Sequence, residues 1–195
     1  MKTKFVVLLM SLIVTFILSA CGKTEYEPSP IDEAVDKCPI CNMAVADDHF
    51  AVEIILKNKK ALKFDDLGDL FVWKQENGTE EIGEQFVRDY NTKEWIKLSD
   101  ATYVYDKSIR TPMAFNVISF KDIKDAESFV SKEGKGEVWT ADKLDEHQWA
   151  PNEDMMKQMM QEHADMMNGD MDEMGTMKDG EGSNGEMQMG GSESK

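Results

Sequence analysis

Residues 51–74, Ala-Val-Glu-Ile-Ile-Leu-Lys-Asn-Lys-Lys-Ala-Leu-Lys-Phe-Asp-Asp-Leu-Gly-Asp-Leu-Phe-Val-Trp-Lys, read as a β-hairpin running into a helix. Ala51 to Lys57 and Ala61 to Phe64 are rich in apolar and β-branched residues, and Asn58-Lys59-Lys60 between them is a polar turn. Asp65-Asp66 then supplies a helix start, with Leu67, Leu70, Phe71 and Lys74 at helical spacing and Gly78 as the stop. Asp65, Asp66 and Asp69 fit that start, because carboxylates there meet the free N–H groups and the positive end of the helix dipole. They are therefore read as helix-start residues and not as a reactive cluster.

Glu84 to Tyr90 reads as a further strand, and the plan then repeats. Ala101 to Tyr105 and Ala114 to Phe120 are strand-like, and Asp122 to Ser131 carries Ile123, Ala126, Phe129 and Val130 at helical spacing. Glu137 to Thr140 closes the series as a strand. The fold class predicted is α+β, with two small ββαβ units in tandem, at about 44–95 and 96–145 of a domain spanning 38–150. One continuous antiparallel sheet carrying two helices is the alternative. Trp73, Trp95, Trp139 and Trp149 are read as packing residues. Residues 21–37, with Pro28 and Pro30, read as a disordered spacer. Residues 151–195 read as an acidic, Met-rich tail without a lasting fold, although Asp154 to Met167 has the composition of a transient helix.

The N-terminus sets the compartment. Lys2 and Lys4 precede an apolar run from Phe5 to Ile17, and Leu18-Ser19-Ala20-Cys21 follows. The run is short for a spanning helix and ends at a cleavage-type sequence. Residues 1–20 resemble a bacterial lipoprotein signal, which implies acylation of Cys21 and a lipid-anchored protein on the extracytoplasmic face of the cell membrane. The net charge of −16 argues against nucleic-acid binding, which depends on Lys and Arg neutralising phosphates.

Setting Cys21 aside, Cys38 and Cys41 remain of three cysteines. A disulfide there would close too short a loop to staple a fold. The pair could be half a zinc site, a thioredoxin-like redox couple or a Cu(I) clamp. Structural zinc needs a second ligand pair, and His49, His147 and His163 do not form one by spacing. Redox chemistry wants the pair after a buried strand, whereas the residues before Cys38 are polar. Met43 adds a thioether two positions from Cys41, so that both side chains project to one side of an extended segment; filling the core is its alternative role. Most of the 15 methionines lie between Met155 and Met189. Thiolates and thioethers together favour Cu(I). His49 is a further, weaker candidate ligand, with a solvent-facing imidazole as the favoured reading.

Three motifs together resemble the NosL family of lipoprotein copper chaperones of nitrous oxide reductase assembly. They are Cys38-Pro39-Ile40-Cys41-Asn42-Met43 shortly after Cys21, Asp65-Asp66-Leu67-Gly68-Asp69-Leu70, and Thr111-Pro112-Met113-Ala114 in the second repeat. The likeness runs from Cys21 to Trp149. It implies two ββαβ units, Cu(I) held by Cys41, Met43 and Met113, Cys38 matching the first cysteine of a longer form of the motif, and delivery to nitrous oxide reductase. Asn42 stands where the family usually has Gly, and Asn tolerates the left-handed backbone such a turn needs. The Met-rich tail lies outside the family pattern.

There is no Ser-His-Asp ordering, phosphate loop or dinucleotide fingerprint, so nothing in the chain points to an enzyme. The function predicted is a membrane-anchored Cu(I) chaperone for an exported copper enzyme. A copper-sequestering tolerance lipoprotein and a thiol-disulfide oxidoreductase are the alternatives.

Overall fold

The hairpin that opens the domain is closed by its own turn chemistry. Leu56 and Lys60 pair through the backbone, Lys59 adopts φ 71°, and the Asn58 side chain accepts from the Lys60 N–H at 3.0 Å. The strands on either side are β1 (Val52–Leu56) and β2 (Ala61–Phe64), paired antiparallel with Val52 opposite Phe64. Helix α1 (Leu67–Asn77) follows, capped by Asp66 accepting from the Gly68 N–H and ended at Gly78 with φ 76°. The structure, a computed structural model, describes residues 25–175 and side chains as far as residue 166. The signal-like segment, Cys21 with its expected acylation, and the tail beyond residue 175 lie outside the described residues.

Strand β3 (Ile82–Arg88) returns along the other edge of β1, and β4 (Trp95–Lys97) adds to β3, giving an antiparallel sheet ordered β2-β1-β3-β4. A 3-10 turn at Leu98–Asp100 leads to β5 (Thr102–Tyr105), β6 (Val117–Phe120), α2 (Ile123–Glu133) and β7 (Glu137–Trp139). The second sheet is ordered β6-β5-β7. In each sheet the first strand lies centrally, between its hairpin partner and the strand that follows the helix. The ββαβ plan is thus present twice in a mixed α+β fold with two antiparallel sheets. Strand β4 and the short helix α3 (Ala141–Glu146) were not expected, being too brief to show a period. Ile123 was placed on the packed face of α2 but is exposed; Ala126 takes the buried position.

The two repeats share one core. Val52, Ile54, Phe64, Leu67, Leu70 and Phe71 of the first join Tyr103, Phe115, Val117 and Trp139 of the second. Trp149 stacks on Phe71 with ring centroids 4.4 Å apart, and its indole N–H donates to the Leu144 carbonyl at 2.9 Å. Residues 25–37 form no helix or strand, yet they are held against the first sheet. Glu53, fully buried in β1, accepts from the Ser29 N–H and hydroxyl, and Lys63 donates to Asp36 at 2.7 Å and to the Pro30 carbonyl. The expected spacer is therefore anchored over its described part, because a buried glutamate in a central strand needs donors and Ser29 provides them.

Helix α4 (Glu153–Gly175) belongs to a second compact unit that begins at Glu153. It starts where the composition places a transient helix but passes Asn168, where order was not expected. Gln158 to Glu162 at 3.0 Å and Gln161 to Asp165 at 2.8 Å are i, i+4 pairs that support it. Met160 and Met166 face solvent.

Gly68 sits where the repeats meet. A Cβ on it would lie 1.9 Å from the Phe115 ring, which is buried. Replacing a glycine by alanine gains about 1 kcal/mol of propensity in a helix interior and less in the first turn where Gly68 lies, whereas overpacking a filled core costs roughly 1–3 kcal/mol. At this separation the clash dominates, so Gly68→Ala should lower the urea midpoint of the full chain. An unchanged or raised midpoint would show that the Phe115 ring can yield.

Candidate metal centre

Residues 37–44 form a reverse loop whose backbone is arranged around its two sulfurs. A bridge pairs Lys37 with Ala44, the Cys38 N–H donates to the Met43 carbonyl at 2.9 Å, and the Asn42 N–H donates to the Cys38 carbonyl at 2.9 Å. The chain reverses at Asn42 with φ 62°, so the left-handed turn survives without glycine. The N–H groups of Cys41 and Ile40 approach the Cys38 sulfur, and that of Met43 approaches the Cys41 sulfur. Donors so aimed favour thiolate over thiol, which is the form a metal takes.

The other wall of the site comes from the start of α1. Asp66 is occupied as N-cap, leaving Asp65 before it and Asp69 in the first turn free to meet the loop. Cys41 Sγ donates to Asp65 Oδ1 at 3.1 Å and Cys38 Sγ to Asp69 Oδ2 at 3.4 Å. One donor atom from each of Cys38, Cys41, Asp65 and Asp69 can be chosen so that all four lie within 4.8 Å of one another. Reading these aspartates solely as helix-start residues was therefore incomplete. The sequence carried no separate signal for this, because Asp65 precedes the extended N-cap Asp66 and so lies outside the helix that holds Asp69.

Without metal this pocket holds protons. Burial pushes the Cys38 thiol far above the ordinary thiol range, with the Asp69 and Asp65 charges adding to the effect. Burial also raises Cys41 to about 11, helped by its hydrogen bond to Asp65. Asp69 is lifted well above the usual carboxylate range by burial and by its hydrogen bond to Asp65. A cation entering here replaces those protons, so binding strengthens as pH rises.

Met113 is carried by the long connection between β5 and β6. Its N–H donates to Asp66 Oδ2 at 2.9 Å, while Asp66 Oδ1 accepts from the Gly68 N–H at 3.1 Å. The Thr111 side chain also bonds Asp66, whose pKa burial nonetheless raises to about 6. The connection is braced from within: Asn116 N–H donates to the Thr111 hydroxyl at 3.1 Å, and the Asn116 side chain to the Ile109 carbonyl at 2.7 Å. Met113 is half-buried against the same core as Cys41, and Met43 is 45% exposed. His49 is not a member of the four-residue cluster. It packs between Phe50 and Tyr90, with ring centroids 4.2 and 4.4 Å away, and burial lowers its pKa. Cys38 and Cys41 are free thiols.

A family model described as NosL matches residues 29–149. The structure also resembles the crystal structure of the copper chaperone NosL from Shewanella denitrificans, with a TM-score of 0.53 and 24% identity, covering 60% of this chain and 95% of that one. No curated protein matches the chain in sequence.

The protonated pocket has a kinetic signature. Alkylation follows the thiolate fraction, so Cys41 should react slowly at neutral pH and about tenfold faster per pH unit up to its pKa of about 11. Cys38 should stay protected until the fold opens. Asp65→Asn removes a charge that holds the Cys41 proton, and should speed its alkylation at pH 7–8. Mass-resolved iodoacetamide kinetics read both sites, and equal rates for the two cysteines would contradict this geometry.

Proposed function

Because the chain belongs to the NosL family, we propose that it is a membrane-tethered chaperone that takes up Cu(I) and passes it to an exported copper enzyme, nitrous oxide reductase by the family's association. The observation that carries the reading is the preorganised loop, which presents one buried and one half-exposed thiol beside an exposed thioether. Cys41, Met43 and Met113 are the proposed Cu(I) ligands, with Cys38 as an exchange ligand. Soft sulfur donors suit this ion.

Chaperone chemistry requires an ion that is held and yet can be approached. Cu(I) imposes no geometry through its d electrons, so an incoming sulfur can add before an outgoing one leaves. The exposure of Met43 gives a partner its point of entry, while the Met43 N–H helps hold the Cys41 sulfur in place. Stepwise exchange needs no bond-making catalysis by the protein. Acylated Cys21 would confine this exchange to the bilayer surface, since each buried CH₂ contributes about 0.8 kcal/mol. The methionines from Met155 onward would gather Cu(I) near the site. Ligands tethered by a short linker act at an effective concentration of order millimolar.

Cu(I) titration against a competing chelator tests the assignment. Losing a direct ligand should exceed the ~10–100-fold cost typical of outer-shell changes, so Cys41→Ser should weaken tight binding by about 100-fold or more. Met113→Leu, which keeps volume but loses sulfur, should cost less. A chain ending at Asn152 should retain the tight site and lose the additional weak equivalents. Undiminished affinity in Cys41→Ser would remove the site. Membrane anchoring has its own test: Cys21→Ser should shift the protein from the detergent-extracted to the soluble fraction, and unchanged partitioning would point to another anchor.

A further inference from the structure

Helix α4 sorts its residues by chemistry. At 100° per residue, Met155, Met156, Met159, Met160, His163 and Met166 fall within about 140° of arc. The charged and amide side chains lie outside that arc and are tied to one another along the helix. Lys157 pairs with Glu153 at 3.7 Å, Gln158 donates to Glu162 at 3.0 Å and Gln161 to Asp165 at 2.8 Å. No bulky apolar residue other than methionine occurs between Glu153 and Met166. A face built for burial would carry Leu, Ile or Val, and this one is not buried: Met160 is 68% and Met166 66% exposed, and His163 is exposed too.

Within the arc one turn gathers three donors. His163 follows Met159 by four residues and Met160 by three, spacings at which helix side chains are neighbours with Cβ atoms about 5–6 Å apart. Helix side chains lean toward the N-terminus, so the His163 imidazole leans back over the turn that carries both thioethers. The long, unbranched methionine side chains can close the remaining gap to metal–ligand bonds of roughly 2.0–2.3 Å. Thioether sulfur is soft, and imidazole suits copper. With no thiolate or carboxylate on the arc, the set offers a divalent ion no charge compensation and suits a monovalent soft one.

We propose that Met159, Met160 and His163 form a discrete three-donor Cu(I) site on α4, distinct in donor set from the cysteine loop. The inference sharpens the reading of the tail as a gatherer of Cu(I), and rests on that reading only for the identity of the ion. Thioethers hold no proton to displace, whereas burial keeps the loop thiols protonated. The helix therefore takes up the ion without the release of thiol protons that loading the loop requires.

Anaerobic Cu(I) titration of the full chain, followed by NMR of labelled methionine methyls and histidine rings, tests the site. Once the thiols are filled, the next equivalent should shift the Met159 and Met160 methyls and the His163 ring together, saturating at one ion. Helical circular dichroism should rise over the same step, because an ion bridging donors one turn apart favours the helical arrangement. His163→Ala should weaken this step by more than about tenfold and abolish the rise, and Met160→Leu, which keeps volume and helix propensity, should weaken it too. Shifts spread evenly over the tail methionines, unsaturated and with the His163 ring silent, overturn the discrete site and leave diffuse gathering intact. A fall in helical signal on binding overturns it as well. A saturating His163 step in a chain whose tight binding is indifferent to Cys41→Ser supports this site and counts against the copper reading of the loop.

Discussion

Asp66 is a buried carboxylate serving two segments that are distant in sequence. It caps α1 through the Gly68 N–H, and it receives the Met113 N–H and the Thr111 side chain from the second repeat. Burial favours its protonated form and raises its pKa to about 6, while these donors pull the other way. The first turn of α1 is thereby fixed against the second repeat. Asp65 and Asp69 lie on either side of this cap. If the turn were rotated, their carboxylates would leave the sulfurs and the metal centre would lose one wall.

The opposite wall depends on backbone geometry more than on side-chain packing. A left-handed residue at Asn42 folds the loop so that successive N–H groups meet the two sulfurs. Those donors are arranged for thiolates, yet burial and the neighbouring carboxylates keep the thiols protonated. A bound cation would resolve the conflict. Sulfur–hydrogen bonds to Asp65 and Asp69 occupy the pocket until a metal replaces the protons. Each donor is thus already paired with the group beside which it would bind, which keeps the rearrangement on loading small.

The two repeats have the same strand order and have diverged in their connections. In the first, β1 and β2 join through a tight polar turn. In the second, β5 and β6 are separated by residues 106–116, a long connection braced by Thr111 and Asn116 that reaches across to α1. The sheet of each repeat is a scaffold, and function lies in what is inserted between strands. Gly68 lets the repeats approach closely enough for the Met113 segment to touch the helix cap, because only a residue without Cβ leaves room for Phe115.

Local sequence carried much of the fold. Asn58 in its turn, Asp66 before Leu67 and Gly78 after Asn77 act on their own neighbours, so their signals are readable along the chain. The ββαβ repeat was legible because strand and helix periods recur in the same order. The three-residue strand β4 and the short α3 were not, since they are stabilised by partners and not by a period of their own. Cys38, Cys41 and Met43 pointed to a metal-binding loop by residue type and spacing. Asp65 and Asp69 did not, because a carboxylate at a helix start has a sufficient local explanation, and its second role depends on a loop that lies about 25–30 residues earlier. Likewise Ser29, read as part of a loose spacer, is fixed only by the buried Glu53. Sequence alone determined the longer elements, the sulfur-bearing residues and the softness of the ion that such atoms favour, since these follow from backbone propensity and atom type. Tertiary structure alone decided which carboxylates join the sulfurs and how far their protons are held, since both depend on burial and on distances between segments remote in the chain.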